Sequence, residues 1–209
     1  MNKLQSVNTL LSIIGEAPVP SLSDVGTNTI TDAALANNTL DEIDRDVQAE
    51  GWQFNTDCQV KIQRDQKMHY VVPSNALAVL FSPNRYNNHQ YVVRGGKVYD
   101  RKTQTYEIGP TDNPQPIIAD QMVMRLEWDE LPHAAQQYIT IRAARIYSDR
   151  YINSNVIYTY TSQDESYARA QLIRHEENSL NNNLLWGNDR GMGSGISYIP
   201  AQGSRYRFN

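Results

Sequence analysis

Acidic side chains in the middle of the chain are the residues whose type and spacing could support catalysis. Glycoside hydrolysis needs two carboxyl groups at a set separation. The sequence does not say which of the acids face each other, and most surface acids are simply solvated. A hydrolase is therefore one alternative among several. The acids in or beside the segment that we interpret as β-rich are Asp57, Asp65, Asp100, Glu107, Asp120 and Glu127.

The remaining residue patterns favour no enzyme class. The four histidines share no metal-ligand spacing, and His175-Glu176-Glu177 lacks the second histidine, four residues away, of a zinc protease helix. The sequence has no Gly-x-Ser-x-Gly motif of a serine hydrolase. The single cysteine, Cys58, excludes an intrachain disulfide, and we interpret it as a buried, inert thiol. On its residues alone the chain is predicted to be a non-enzymatic assembly protein without metal or cofactor.

Charge and composition agree with that prediction. A net charge of −4 argues against a general nucleic-acid-binding surface, which would be basic, but not against a protein that guides DNA without gripping it. No apolar run approaches the roughly 20 residues of a membrane span, and the N-terminal segment lacks the features of a signal peptide. We therefore expect no membrane and folding in a reducing cytoplasm. The 13 tyrosines against three phenylalanines favour interfaces, where one end of a side chain is wet.

A joint between a helix and a β segment organises the first part of the chain. Apolar residues at spacings of three and four predict amphipathic helices over residues 3–14 and 32–50. Gly51 ends the second helix, because only glycine enters the left-handed C′ conformation without a Cβ penalty. Trp52 and Phe54 follow with alternate spacing, which predicts an extended segment with both rings on one face. We interpret these two rings as interface residues at a hinge.

Residues 52–128 carry the pattern of short strands separated by turns. Gly95-Gly96 is the sharpest local signal, because two glycines supply the positive φ angles of a type I′ hairpin turn. No helix follows the two glycines, which disfavours a phosphate-binding loop. Residues 103–120 are predicted to be a loop or irregular edge. Strand signals occur at residues 59–64, 70–72, 76–81, 91–94, 97–100 and 122–128.

Helical patterns return after the β-rich segment. Asp129-Glu130-Leu131-Pro132 predicts the start of a long, largely buried helix. A polar link is expected over residues 152–161. Ser162 and Glu165 form a capping box, which predicts the start of a last helix that ends at Gly187.

The C-terminal arm, residues 188–209, combines isolated aromatic rings with arginines and cannot build a core of its own. That composition is typical of interface anchors. A disordered terminus is the alternative. The predicted anchors are Tyr198, Arg205, Tyr206, Arg207 and Phe208.

These patterns predict an α+β fold. Helices from both chain ends form one bundle, because each has an apolar face to bury, and a β-rich domain, an antiparallel sheet or small barrel, is inserted between them. The expected division is residues 1–51 for the first half of the bundle, 52–128 for the β-rich domain, 129–187 for the second half and 188–209 for the arm.

Four sequence blocks together resemble one known family. They are VNTLLSIIGEAPV at residues 7–19, GWQFN at 51–55, RGGKVYDR at 94–101 and DELP at 129–132. In the same order, these blocks are similar to tail tubular protein A, the adaptor or gatekeeper of T7-like short-tailed bacteriophages. The resemblance covers most of residues 5–150 and does not extend beyond residue 187.

The resemblance implies a structural virion protein of the tail, assembled in the host cytoplasm. Such proteins form homo-oligomeric rings of twelve copies between the portal protein and the tail nozzle (tubular protein B), near the attachment of the tail fibres. The ring encloses the channel through which double-stranded DNA leaves the head. Acidic walls would repel phosphates, so the DNA would pass without specific binding.

The resemblance also implies how the parts are used. We expect the terminal helices to form the ring wall, the arm to reach the portal or the next subunit, and the β region with its hairpin to face the nozzle or the fibres. A tail-associated glycoside hydrolase acting on host polysaccharide is the alternative, because the resemblance extends to members proposed to have that activity. A carbohydrate-binding or fibre-docking module is a third possibility, which tyrosine and tryptophan side chains exposed on one β face would favour.

Overall fold

The computed structural model describes residues 1–22, 32–66, 68–82, 89–109, 115–151 and 155–179. Contacts divide the chain into two units: Met1–Val47 with Glu127–Asn209, and Gln48–Leu126. The first unit is helical and the second is built from antiparallel strands, so the predicted α+β class is confirmed. The division into four parts with boundaries after residues 51, 128 and 187 stays a prediction.

The helical unit contains helices from both ends of the chain. Buried apolar side chains of the predicted helical stripes, among them Val7, Leu40, Val47 and Ile139, form its interior. None of the described helices is long and apolar enough to cross a membrane. The helices are α1 (Lys3–Ile13), α2 (Asp32–Ala49), α3 (His133–Tyr151) and α4 (Asn155–Ser179).

Helix α1 begins and ends for local reasons. Asn2 and Gln5 form a capping box, in which the Gln5 N–H donates to Asn2 Oδ1 at 2.8 Å and the Asn2 N–H donates to Gln5 Oε1 at 3.0 Å. Gly15, with φ of +79°, ends the helix. Helix α1 packs on α3, where Thr140 Oγ1 donates to Ser6 Oγ at 3.0 Å between two buried side chains.

Ion pairs and hydrogen bonds connect α3 with its neighbours. The Arg150 guanidinium donates to both carboxylate oxygens of Glu42 on α2, at 3.0 and 3.1 Å. These bonds and the charge of Arg150 lower the pKa of Glu42, and the same contact raises the pKa of Arg150. The Arg145 guanidinium contacts Glu165 on α4. Both partners of the first pair are about half exposed, so that pair contributes less than about 1 kcal/mol.

The start of α4 corrects two sequence expectations. The helix begins at Asn155, so residues 155–161 are helical rather than part of a polar link. Ser162 therefore lies inside the helix, where its carbonyl accepts a hydrogen bond from Ser166 Oγ at 2.9 Å, and the predicted capping box is wrong. Residues 155–179 contain no glycine or proline that would interrupt a helix. The contact between Glu165 and Arg145 also holds this helix against α3.

The β unit contains a three-stranded antiparallel sheet in the order β1–β5–β2 and a separate hairpin β3–β4. Residues 117–120 belong to the central strand rather than to the predicted loop, and that strand ends at Met124 rather than near Trp128. The strand predicted over residues 70–72 is replaced by two isolated bridges, at Tyr70 and Val71. The strands are β1 (Thr56–Ile62), β2 (Ala76–Leu80), β3 (Tyr91–Arg94), β4 (Lys97–Asp100) and β5 (Ile117–Met124).

The β unit has its own apolar core. Ile62, Tyr70, Val98, Ile117 and Met122 belong to one cluster of buried side chains drawn from the sheet, the hairpin and the segment between β1 and β2. Burial of each such side chain contributes about 1.5–3 kcal/mol. This core holds the hairpin in place without any disulfide.

The joint after α2 is a turn rather than a strand. Gly51 has φ of +76°, and a Cβ atom there would come within 3.1 Å of Val123 Cγ2, so both conformation and space require glycine. Asn55 Oδ1 accepts the Trp52 N–H at 2.8 Å and closes a 3₁₀ turn over Gln53–Asn55. The extended segment predicted at Trp52 and Phe54 is therefore wrong, although their rings do stack, with centroids 6.5 Å apart.

Candidate functional site

The hairpin β3–β4 forms as its sequence predicts. Gly95 and Gly96 have φ of +57° and +71°, the positive values that a type I′ turn requires. The register pairs Arg94 with Lys97 next to the turn and Tyr91 with Asp100 at the open end. Two basic side chains are thereby held side by side on adjacent strands.

Two segments from elsewhere in the unit pack along β4. The Val98 N–H donates to the Tyr70 carbonyl and the Val72 N–H donates to the Gly96 carbonyl, both at 2.9 Å. The Asp100 N–H donates to the carbonyl of Thr105 at 3.0 Å and closes the turn after β4. These backbone bonds bring His69, which precedes Tyr70, and Tyr106, which follows Thr105, next to the hairpin.

The result is a continuous surface that we call the platform, formed by Arg94, Lys97, Tyr99, Tyr106 and His69. The Arg94 guanidinium carbon lies 4.2 Å from the Tyr99 ring centroid. The Tyr99 and Tyr106 centroids are 4.9 Å apart, and the His69 ring meets Tyr106 edge-on at 6.2 Å. Lys97 Nζ lies 3.4 Å from His69 Nδ1. Arginine, two tyrosines, histidine and lysine therefore contact one another in series.

The platform carries positive charge that its surroundings do not neutralise. Among the described residues, no carboxylate oxygen lies within 4.0 Å of the Arg94 guanidinium or Lys97 Nζ. Asp65 Oδ2 is 4.0 Å from His69 Nδ1, at the margin of the surface. Arg94 is exposed, and Tyr106 keeps 37% of its surface accessible. Tyrosine and arginine are the residues most often found at the energetic centre of protein interfaces, so this surface suits an anionic partner.

Asp100 organises the open end of the hairpin. Its side chain is 2% exposed and accepts hydrogen bonds from His89 Nδ1 at 2.6 Å, the Lys102 N–H at 2.9 Å and Thr103 Oγ1 at 2.8 Å. Burial acts to raise the pKa of Asp100, but the hydrogen bonds from these three partners outweigh it and lower the pKa. A general acid needs a raised pKa, so Asp100 is a structural carboxylate rather than a proton donor.

The other candidate acids have ordinary surroundings. Asp65 Oδ1 accepts the His69 N–H at 2.8 Å, and the Asp120 carboxylate accepts the Ser82 N–H. The described contacts bring no two of these carboxyl groups together, and the hydrolase alternative stays a prediction. Within the described ranges, no three His, Cys, Asp or Glu side chains are grouped so that they could hold a metal ion. The exposed acids of the set are Asp57, Glu107 and Glu127.

The predicted interface residues fall in different environments. Trp52 is 5% exposed and belongs to the core, and Phe54 is half-buried, so their interface role stays a prediction. Cys58 is exposed on strand β1 and is not part of the core cluster, so the expectation of a buried thiol is wrong. The five anchors predicted in the arm lie outside the described residues.

Sequence reasoning missed the platform apart from its turn. Arg94 and Lys97 were part of the hairpin signal, but His69 and Tyr106 reach it through isolated bridges that leave no periodic pattern. It also missed a groove of about 530 Å³ between α3 and α4, beside Tyr167, which is 67% exposed. An exposed tyrosine on a polar helix gives no signal in the hydrophobic pattern.

One match to a known protein family covers almost all of the described residues. A protein-family model described as "Tail tubular protein" matches residues 4–181. That range contains the hairpin, the sheet and most of every described helix. A search of curated proteins found no match.

Proposed function

Because the chain belongs to the tail tubular protein family, we propose that it forms the adaptor ring that joins the portal to the tail nozzle of a bacteriophage. As a member of this family it is a structural component of the virion tail and assembles with other tail components. The observation that carries the proposal is the extent of the family match, residues 4–181, which includes the whole β unit and most of the helical unit. In the proposal, twelve copies close the ring, and assembly takes place in the host cytoplasm.

Charge is divided unequally along the chain, and this supports a DNA channel. Residues 48–126 hold nine Lys and Arg against seven Asp and Glu, a formal net charge of +2. The remaining residues hold ten against sixteen, a net charge of −6. A channel wall formed by the acidic, helical part repels phosphates, so double-stranded DNA passes without specific binding.

The proposal assigns the parts of the chain to different partners. The helices form the ring wall, and the arm of residues 188–209 contacts the portal or the next copy. The β unit lies toward the nozzle and the tail fibres. The exposed Tyr106 and Arg94 of the platform support a docking role for this unit rather than a catalytic one, because Tyr and Arg together are typical of protein interfaces.

Cryo-electron microscopy of the intact phage particle tests the location. We expect density for this chain as a closed ring directly below the portal. Density for this chain at the tip of the tail or in the fibres would contradict the adaptor role, and so would a particle that contains no density for it.

Removal of the arm tests the assignment of its residues. A chain truncated after residue 187 is expected to keep its helical circular dichroism, because the described helices and their buried apolar residues all precede the arm. It is expected to bind isolated portal rings at least about tenfold more weakly, since aromatic and arginine anchors carry most interface energy. Binding is measured by co-sedimentation, with a chain that keeps the arm but carries Tyr167→Ala as the control. Equal binding by the full and truncated chains would contradict the assignment.

A further inference from the structure

An acidic surface on the helical unit matches the platform in charge. Glu127, Asp129 and Glu130 are exposed and form what we call the acidic turn, directly before α3. Glu130 Oε2 accepts the Glu127 N–H at 3.0 Å. Within the described part of the chain, no Lys, Arg or His nitrogen lies within 4.0 Å of these three carboxylates. The three carboxylates of the turn therefore have no cationic side chain as an ion-pair partner among the described residues.

We propose that the platform of one copy docks on the acidic turn of the next copy. The proposal rests on the proposed ring and names the residues of its subunit contact. Arg94 and Lys97 bring unneutralised positive charge, and the three acids of the turn bring unneutralised negative charge. Opposite potentials on facing surfaces steer association and suppress wrong pairings.

The arrangement of the two charges selects a head-to-tail contact. Each copy carries both surfaces, so a platform facing a platform or a turn facing a turn would be repelled. A two-fold contact through either surface is thereby disfavoured, whereas a contact between the two different surfaces is attractive. Head-to-tail contacts of this kind generate rings when their rotation closes.

The aromatic part of the platform adds affinity to the electrostatic part. Arg94 is already held over the Tyr99 ring at 4.2 Å, so less of its side-chain freedom is lost on binding. Tyr106 offers its exposed surface next to the two cations. This proposal assigns the hairpin to the subunit contact, in place of the expectation that the hairpin faces the nozzle or the fibres, and leaves the rest of the β unit for those partners.

Charge reversal of the full-length chain tests the contact. The platform-reversed chain carries Arg94→Glu and Lys97→Glu, and the turn-reversed chain carries Glu127→Lys, Asp129→Lys and Glu130→Lys. Each variant alone presents two surfaces of the same sign, so each is expected to self-associate about tenfold or more weakly than the unmodified chain. Self-association is measured by sedimentation velocity at low salt and by chemical cross-linking.

Mixing the two variants gives the decisive readout. The negative platform of the first variant matches the positive turn of the second, and the positive platform of the second matches the negative turn of the first. An equimolar mixture is therefore expected to regain oligomers in which the two variants alternate. A merely misfolded variant would not be rescued by mixing, and absence of rescue with two folded variants overturns the proposal.

Matched controls distinguish the effect of charge at the proposed contact from the effect of the net charge of the chain. The control for the platform is Arg101→Glu with Lys102→Glu, and the control for the turn is Asp46→Lys, Asp164→Lys and Glu177→Lys, all at exposed sites. Both controls are expected to self-associate as the unmodified chain does. An unmodified chain that never self-associates, in solution or on the virion, contradicts the ring itself. A ring that is unaffected by the platform and turn reversals contradicts only this contact.

Discussion

At the scale of single residues, Asp100 shows how one carboxylate holds the hairpin and the turn after it. We predict that Asp100→Asn lowers the free energy of unfolding by about 1–3 kcal/mol, because a buried charged acceptor with three donors becomes a neutral amide. Urea unfolding followed by circular dichroism measures the loss. Asp57→Asn, at an exposed position on β1, is the control and is expected to change stability by less than about 0.5 kcal/mol. Equal stabilities of the two variants would contradict the role assigned to Asp100.

The lowered pKa of Asp100 predicts how that difference depends on pH. A carboxyl group whose pKa is lower in the folded state stabilises the fold above its unfolded pKa, about 3.9, and loses this contribution as the pH falls through the folded value. The gap in unfolding free energy between the unmodified chain and Asp100→Asn is therefore expected to be complete at neutral pH and to shrink below about pH 4. Urea titrations at several pH values from about 3 to 7 measure it. A gap that widens on acidification would show that the sign is wrong.

At the scale of elements, strong local signals predicted the fold well. Gly51 after α2 and the Gly95-Gly96 turn are both short-range features, and both have the positive φ angles that the sequence predicts. The elements that were missed depend on distant partners. Residues 117–120 become the start of β5 because they pair with β1, 55 or more residues earlier in the chain, and prolines nearby in sequence suggested a loop.

The platform follows the same rule. Its two hairpin residues, Arg94 and Lys97, could be placed together from the turn, because a two-residue turn sets the register. His69 and Tyr106 could not, because single bridges outside regular strands bring them to β4. Periodic sequence patterns reveal the regular contacts of helices and strands. A surface that is held together by single contacts outside regular elements leaves no such pattern and is found only in the folded chain.

The hairpin turn itself can be tested at this scale. Gly96→Ala is expected to lower the free energy of unfolding by about 1–2 kcal/mol, because φ of +71° is unfavourable for a residue with a Cβ atom. Steric clash does not contribute, since no atom lies within 4 Å of the added Cβ. Gly95→Asn is the matched control, since Asn-Gly is itself a favoured type I′ turn, and its expected change is within about 0.5 kcal/mol. Thermal unfolding of the two variants compares them. A larger loss for the asparagine variant than for the alanine variant would contradict a type I′ turn.

At the scale of the whole molecule, the chain separates charge and secondary structure between its two units. The β unit combines a net positive sequence with the exposed Tyr106 of the platform, and the rest of the chain is acidic. The proposed adaptor ring would benefit from this separation, because one part of each copy could bind other tail components while another part repels the phosphates of DNA.

Hydrogen bonds join the two chain ends of the β unit, and we therefore predict that this unit folds without the helical unit. The Gln48 side chain is fully buried, with Nε2 donating to the Leu126 carbonyl at 3.1 Å and Oε1 accepting the Leu126 N–H at 2.7 Å. Asn55 Nδ2 donates to the carbonyls of Gln48 and Met124 at 2.9 and 3.0 Å. The first and last residues of the unit are thus hydrogen-bonded within it.

We therefore expect a fragment of residues 48–126 to unfold cooperatively in urea, because the described contacts give it both an apolar core and joined ends. Gln48→Ala in this fragment is expected to lower the free energy of unfolding by about 1–3 kcal/mol, since the Leu126 N–H and carbonyl lose their partners. Gln63→Ala, at an exposed position, is the matched control and should change it by less than about 0.5 kcal/mol. A fragment without a cooperative transition would show that the β unit depends on the helical unit for its fold. Equal effects of the two substitutions would show that the Gln48 bonds do not hold the ends together.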